Sequence, residues 1–219
     1  NDQVRFEVTF HVKAPGIKVV APVREWELKT RESEIDYAKK HGLPIEQTKK
    51  KLYSIDKNLW GISVESGKLE DPWFEPPKDT FITVKRPEEA PERAEYVTVG
   101  FEKGIPVSVN GRKYAPVELV EKLNVLGGRH GVGRVDMIED RLVGIKSREV
   151  YEAPASAILQ TAHTALEELV LDRETRKYKH GVSRTYSELV YNGLWFTPLK
   201  GALDAFVDKT QLKVKGEVK

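Results

Sequence analysis

The chain has 219 residues, 39% of them hydrophobic and 32% charged, and its 36 Lys and Arg against 34 Asp and Glu leave a formal net charge of +2. That length can bury a sizeable core, as one large domain or as one domain and part of another, and so even a balance excludes a global field drawing in nucleic acid or a membrane surface. Zero cysteines exclude disulfides, thiol nucleophiles and Cys-based zinc sites, and the five scattered histidines argue against a protein-built metal site.

Along the chain, Asn1 to Val12 is predicted as a short helix and Ile17 to Pro22 as a compact apolar strand. Thr30 reads as an N-cap for a helix from Arg31 to His41, closed by Gly42 and Pro44. Helix, strand, helix is what one end of a parallel α/β sheet looks like, so residues 1–50 are expected to be the end of a domain whose beginning is missing. No run reaches the ~18 apolar residues of a membrane span, and Asn1 to Arg5 lacks the basic start and apolar core of a signal peptide, so the expected location is cytoplasmic.

Short strands and hairpins follow from about residue 52. Glu95–Phe101 and Ile105–Val109 flank Lys103-Gly104, and Asn110-Gly111 is a strong two-residue hairpin turn into Arg112-Lys-Tyr114. The proline-rich stretch Leu69–Arg93 is expected to be an irregular surface excursion. Pro116 opens a helix that Gly127-Gly128 should stop, and a second hairpin is expected to pair residues 133–138 with 141–146 across Glu139-Asp140. Ile158, Leu159, Ala162, Leu166, Leu169 and Val170 form an apolar stripe, which predicts one long helix over about 155–179. Thr185 with Glu188 fits a capping box, and Thr197-Pro198 fits an N-cap followed by proline at the first helical position. Leu212–Lys219 alternates like a strand cut short. Residues 173–219 carry ten Lys or Arg against five Asp or Glu, interleaved with carboxylates and not with stacking aromatics, which favours a solvated face over a nucleic-acid patch.

The densest concentration of chemistry is Gly127-Gly-Arg-His-Gly-Val-Gly-Arg134, then Val135–Arg141 and Lys146–Pro154, where glycines, cations, carboxylates and a tyrosine crowd together. Gly131-Val-Gly133 is too short and too poorly framed for a dinucleotide or Walker loop. Near the first helix start, Arg5 could grip a carboxylate while Asp2 takes an ammonium, but a capping Asp and a surface Arg are the plainer reading of residue type alone. Ser54 and Ser63, near Trp60, read first as turn hydroxyls, and no His-Asp partner lies nearby to make either a nucleophile. Glu139 could be a turn carboxylate and Tyr151 a core ring.

Taken together and in order, Asn1-Asp-Gln-Val-Arg-Phe6, Ala21-Pro-Val-Arg-Glu-Trp26, Gly131-Val-Gly-Arg134, Glu139-Asp-Arg141, Lys146-Ser-Arg148, Val150-Tyr-Glu152 and Leu171-Asp-Arg-Glu174 resemble the argininosuccinate synthase family over nearly the whole chain. The resemblance implies an α+β (α/β) fold: the end of a Rossmann-like nucleotide-binding domain over 1–50, then an α+β synthetase and multimerisation domain over 51–219 with antiparallel hairpins and long C-terminal helices. It implies an ATP-dependent ligase of arginine biosynthesis that joins citrulline to aspartate through a citrulline-adenylate, releasing AMP and pyrophosphate. Asn1 and Asp2 would contact aspartate; Asn1, Arg5, Ser54, Ser63, Glu139 and Tyr151 would hold citrulline; no side chain would be a nucleophile or metal ligand. ATP with Mg2+ would be bound mainly upstream of Asn1, and the assembly would be a homotetramer joined through the C-terminal helices.

The chain departs from the family pattern in three places. The Ser-Gly-Gly-x-Asp-Ser/Thr pyrophosphate loop is not among the 219 residues, Glu149 stands where glycine is common, and Ala153-Pro-Ala-Ser156 replaces a more glycine-rich run. The chain is therefore expected to be a piece of the enzyme, inactive alone, carrying the citrulline and aspartate part. The alternative is a non-catalytic amino-acid-binding or assembly module that has lost its ATPase half.

Overall fold

A computed structural model describes residues 2–45 and 53–219. It contains two four-stranded antiparallel sheets and six α-helices among those residues, an α+β arrangement. Helix α1 (Asp2–Lys13) comes first, and α2 (Arg31–Lys40) follows the Thr30 N-cap, whose hydroxyl accepts from the Ser33 amide at 3.2 Å while the Ser33 hydroxyl accepts from the Thr30 amide.

The predicted strand at 17–22 is not one. Residues 17–21 form no strand pairing among the described residues and Pro22–Arg24 form a 3-10 turn, leaving Ile17, Val20 and Val23 exposed. A buried-type parallel strand exists only through neighbours on both edges, and none of the described strands pairs with this segment.

The first sheet is built from β1 (Ser54–Asn58), β2 (Gly61–Glu65), β6 (Arg134–Asp140) and β7 (Lys146–Glu152) in the order β1-β2-β7-β6. Its β6–β7 connection differs from the sequence reading. The strands run to Asp140 and resume at Lys146, with Glu139 opposite Ser147, so the turn is residues 141–145 and not Glu139-Asp140. Gly144, at φ +83°, supplies the left-handed residue this longer loop needs, and the Arg141 amide closes it on the Ile145 carbonyl at 3.0 Å.

The second sheet, in the order β5-β4-β3-β8, joins β3 (Val99–Glu102), β4 (Ile105–Val109), β5 (Arg112–Lys113) and β8 (Gly216–Val218). Both expected tight turns are present: Lys103-Gly104 and Asn110-Gly111 all have positive φ, the signature of a turn that matches strand twist. Against this sheet pack α3 (Pro116–Arg129) and α4 (Pro154–Val170). Val99, Phe101, Val109, Leu119, Leu123, Leu159, Leu166 and Val214 form the main core.

Helix α3 runs through Gly127-Gly128, which the sequence reading took as a stop. Both positions are helical, and both are glycine because α4 and the excursion pass too close for a side chain. A Cβ on Gly127 would lie 2.8 Å from Pro154 Cβ, and one on Gly128 3.0 Å from the Thr83 carbonyl oxygen. The helix predicted over 155–179 is two helices, α4 and α5 (Arg173–Tyr191), because Asp172 accepts from the Glu174 and Thr175 amides and so starts a new helix. Thr185 caps nothing; it sits inside α5 with its hydroxyl on the Gly181 carbonyl. Helix α6 (Pro198–Gln211) begins at Thr197 as expected, its hydroxyl accepting from the Lys200 amide.

The excursion over residues 69–93 is irregular, but it is not merely a surface loop. Leu69, Thr80 and Val84 are buried. Leu69, Phe74 and Phe81 cover Ile62, Val64 and Val150 on the back of the first sheet. Glu152, itself buried, fastens it by accepting from the amides of Ile82, Thr83 and Val84 at 2.7 to 2.9 Å. No helix among the described residues is long and apolar enough to cross a membrane.

Candidate functional site

The strand register builds the site. Because side chains alternate faces, Val64 facing Val150 puts Ser63 beside Tyr151, and the same count along the other strands assembles one polar face. That face carries Ser54 and Asp56 of β1, Ser63 and Glu65 of β2, Ser147, Glu149 and Tyr151 of β7, and Glu139 of β6. The opposite face holds Ile62, Val64 and Val150 and is spent on packing. Four of the seven candidates from the sequence, Ser54, Ser63, Glu139 and Tyr151, thus share one side of one sheet, although 97 positions separate the first from the last.

Arg5 reaches the same place from α1. Its guanidinium donates to the Tyr191 carbonyl at 2.9 Å and lies 5.4 Å from that tyrosine's ring centre, while its other arm pairs with Asp2. The Tyr191 hydroxyl in turn donates to Glu139. Gly193, at φ +74°, lets the end of α5 meet α1 closely, since a Cβ there would lie 3.0 Å from Arg5 Cα. Asp2 sits in the first turn of α1, largely exposed, with Arg5 as its partner. Asn1 lies outside the described residues.

Charge on the sheet face is unbalanced in an organised way. One Arg141 nitrogen donates to Glu65 at 2.7 Å and to Glu149 at 2.8 Å. Glu149, with only 5% of its side chain exposed, also accepts from the Ser147 hydroxyl at 3.1 Å and from the Tyr151 hydroxyl at 2.6 Å. Burial alone would raise the Glu149 carboxyl; hydrogen bonds from Tyr151, Arg141, Glu65 and Ser147 outweigh it and hold Glu149 below the usual carboxylate range. Glu65 goes the other way. Burial and the neighbouring Glu149 push it up to about 7, with Arg141 opposing. Of the two carboxyls it is Glu65, with fewer donors, that holds its proton to the higher pH. Burial, then the carboxylates Glu149 and Glu139, raise Tyr151 far above an ordinary phenol, so it is a neutral donor and acceptor.

Two cavities border this face. One of about 600 Å3 lies between the β6–β7 turn and α5, beside Arg141 and Tyr191. A larger one of about 1040 Å3 is walled by Trp60, Phe101, Leu159 and Trp195, and touches the polar network only at Arg5 and Tyr191. An apolar wall is the wrong chemistry for a small zwitterion, so the sheet face and not the larger cavity is the candidate site. Among the described residues no group of three or more His, Cys, Asp or Glu is placed to hold a metal ion. The arrangement offers a fixed cation, carboxylates, phenols and hydroxyls, and no activated nucleophile: it can bind and orient a polar molecule with groups of both charges.

Sequence reasoning missed Glu65, Ser147 and Tyr191 as members of the network, saw Arg141 only as one cation of the dense stretch around Glu139, and noticed Glu149 only as a departure from a pattern. Period-two alternation from Tyr151 back through Glu149 to Ser147 was a usable signal for β7. Nothing local points to Tyr191, which arrives from α5.

Residues 53–219 match the family profile described as the arginosuccinate synthase C-terminal domain, and residues 1–44 match the arginosuccinate synthase N-terminal HUP domain. The chain is 58% identical over 219 residues to the argininosuccinate synthase of Thermoanaerobacter sp. (strain X514), covering 100% of this chain and 53% of that protein. Identity is 57% to that of Carboxydothermus hydrogenoformans and 55% to that of Chlorobium luteolum, each over 100% of this chain and 55% of the relative. The chain spans about half the length of the curated relatives it matches.

Proposed function

The chain belongs to the argininosuccinate synthase family, and from that premise we propose that its polar sheet face is the citrulline-binding part of an ATP-dependent carbon–nitrogen ligase, with aspartate held at the start of α1. The observation that carries this is the register of β2, β7 and β6, which gathers Ser63, Tyr151 and Glu139 on one face and leaves Arg5 linked to Glu139 through Tyr191. Residues 1–50 would be the C-terminal part of the nucleotide-binding domain and 51–219 the synthetase and multimerisation domain of a homotetramer.

In this reading the Arg5 fork takes the citrulline carboxylate, Glu139 and the Tyr151 oxygen take its ammonium, and Ser54 and Ser63 offer hydroxyls to the rest of the molecule. Asp2 and Asn1 serve aspartate. Citrulline's ureido oxygen bonds to the α-phosphorus of ATP as the α–β phosphoanhydride bond breaks and pyrophosphate leaves. The aspartate amine then bonds to the activated ureido carbon, loses a proton, and AMP departs with the bridging oxygen. Such chemistry calls for positioning and charge stabilisation by the protein, which suits a face with no nucleophile. ATP would bind mainly to the first half of the family's sequence. Mg2+ would enter on the ATP phosphates, since no described cluster fits a resident ion, and no step above passes through it.

Equilibrium dialysis of the 219-residue chain against radiolabelled citrulline tests the reading. Retained citrulline, reduced at least about tenfold by Glu139→Gln as expected for a lost charged hydrogen bond, supports it; equal retention by E139Q, or none by the unaltered chain, contradicts it. Adding aspartate and ATP should yield no AMP from the chain alone.

A further inference from the structure

Tyr151 has one hydroxyl proton and two carboxylates within reach, Glu149 at 2.6 Å and Glu139 at 3.3 Å. A charge-assisted O–H···O contact is short, so the proton lies toward Glu149. No proton then remains between the phenol oxygen and Glu139. Those two oxygens face each other as acceptors, and Glu139's other oxygen is already engaged by the Tyr191 hydroxyl. Two acceptors about 3 Å apart repel unless a donor, preferably a cationic one, comes to them. An ammonium group, with three N–H bonds and a positive charge, satisfies both.

We propose that Glu149 is a positioning residue for the substrate ammonium: by taking the Tyr151 proton it leaves the phenol oxygen turned to Glu139 as a second acceptor. This rests on the reading of the face as a citrulline site. Glu149 is suited to the role by its surroundings. Arg141 from the β6–β7 turn and Ser147 on its own strand hold its first oxygen, the Glu65 carboxyl also bonds the group, and its second oxygen takes Tyr151. Facing it from β2 is Glu65, which accepts from the same Arg141 nitrogen at 2.7 Å and whose carboxyl burial and Glu149 push up to about 7, with Asp56 of β1 beside it. From β6 comes Glu139, and from α5 Tyr191, through Glu139. A glycine at 149 would remove the proton's first acceptor. Tyr151 would then donate to Glu139, and each would lose a lone pair that the ammonium needs.

The test is a double-mutant cycle read by citrulline titration calorimetry, with a ligand-free readout beside it. Glu149→Ala is expected to weaken citrulline about tenfold and Glu149→Gln about threefold, because the glutamine carbonyl still accepts from Tyr151. In the Y151F background E149A should cost less than about twofold, since the proton it governs is gone. Placing 3-fluorotyrosine at 151 and following its 19F shift with pH should show late ionisation that E149Q and E149A bring earlier. Should E149A fail to fold, E149Q carries both readouts. Equal losses with and without Y151F, or a 19F titration indifferent to Glu149, would overturn the proposal. A Glu149-dependent 19F titration with no citrulline binding by the unaltered chain would support the proton assignment and overturn the citrulline reading, so the two failures are distinct.

Discussion

Two antiparallel sheets of four strands do opposite work in this chain. The β5-β4-β3-β8 sheet puts Val99, Phe101 and Val109 against α3 and α4 and belongs to the main core. The β1-β2-β7-β6 sheet packs only its back, with Ile62, Val64 and Val150 under the excursion, and spends its front on Ser63, Glu65, Glu139, Ser147, Glu149 and Tyr151. Both faces of β7 are nonetheless covered, so the polar front is not simply a wet surface. Keeping the carboxylates in a half-dry place requires partners, and Arg141, Tyr151 and Tyr191 provide them for Glu65, Glu149 and Glu139. One sheet is thus a support, and the other is the receptor in the proposed reading. Asn124 on α3 ties them: its side chain donates to the Leu59 carbonyl at the β1–β2 turn and accepts from the Ala155 amide at the start of α4.

The contrast can be broken at graded cost. Leu123→Ala in the fully buried core should destabilise the fold by about 2–5 kcal/mol, by lost burial plus the cavity left behind, while leaving citrulline affinity of the folded fraction nearly unchanged. Urea melts and a titration at low temperature check both halves. Removing Glu152, the staple between the two regions, should cost about 2–4 kcal/mol in Glu152→Ala, because three backbone amides of the excursion lose their acceptor; protease cleavage within residues 69–93 should accelerate. The third effect is smaller and depends on pH. Glu65 ionises near 7 in the fold against an ordinary 4.5, so its contribution to stability is fully present below about 4.5 and is lost as pH rises through about 7. Between melts at pH 5 and pH 8 the unaltered chain should lose about 2 kcal/mol more than Glu65→Gln, a figure lowered from the full shift because the side chain is a quarter exposed and Arg141 screens it. Ser63→Ala should be the mildest, about 0.5 kcal/mol or less in stability, with its effect read in citrulline affinity instead.

What could be read from the sequence was what local chemistry determines. Thr30, Asn110-Gly111, Lys103-Gly104 and Thr197-Pro198 each act within a few residues of themselves, and each does in the fold what its residue types favour. The failures share the opposite character. Ile17–Pro22 has the composition of a strand but no strand to pair with among the described residues, and Gly127-Gly128 carries the composition of a helix stop but serves a close crossing seen only once Pro154 and Thr83 are in place. Asp172 was a legible cap inside an apolar stripe whose periodicity drew attention past it. The misplaced β6–β7 turn matters most, because only the observed register lifts Glu139 out of the loop and onto the strand facing Tyr151. For the site, residue types alone favoured plain structural roles for Asp2, Arg5, Ser54, Ser63, Glu139 and Tyr151, and family resemblance singled them out. The pairing of β2 with β7 explains why four of them lie together, and Tyr191 shows how Arg5 joins them.

A crystal structure of the chain soaked in citrulline tests the central claim most directly. The ligand is expected on the front of the β1-β2-β7-β6 sheet, its ammonium within hydrogen-bond distance of Glu139 and the Tyr151 oxygen and its carboxylate on Arg5. Citrulline seated in the apolar cavity between Trp60 and Trp195, or an ammonium turned away from Glu139, would contradict it.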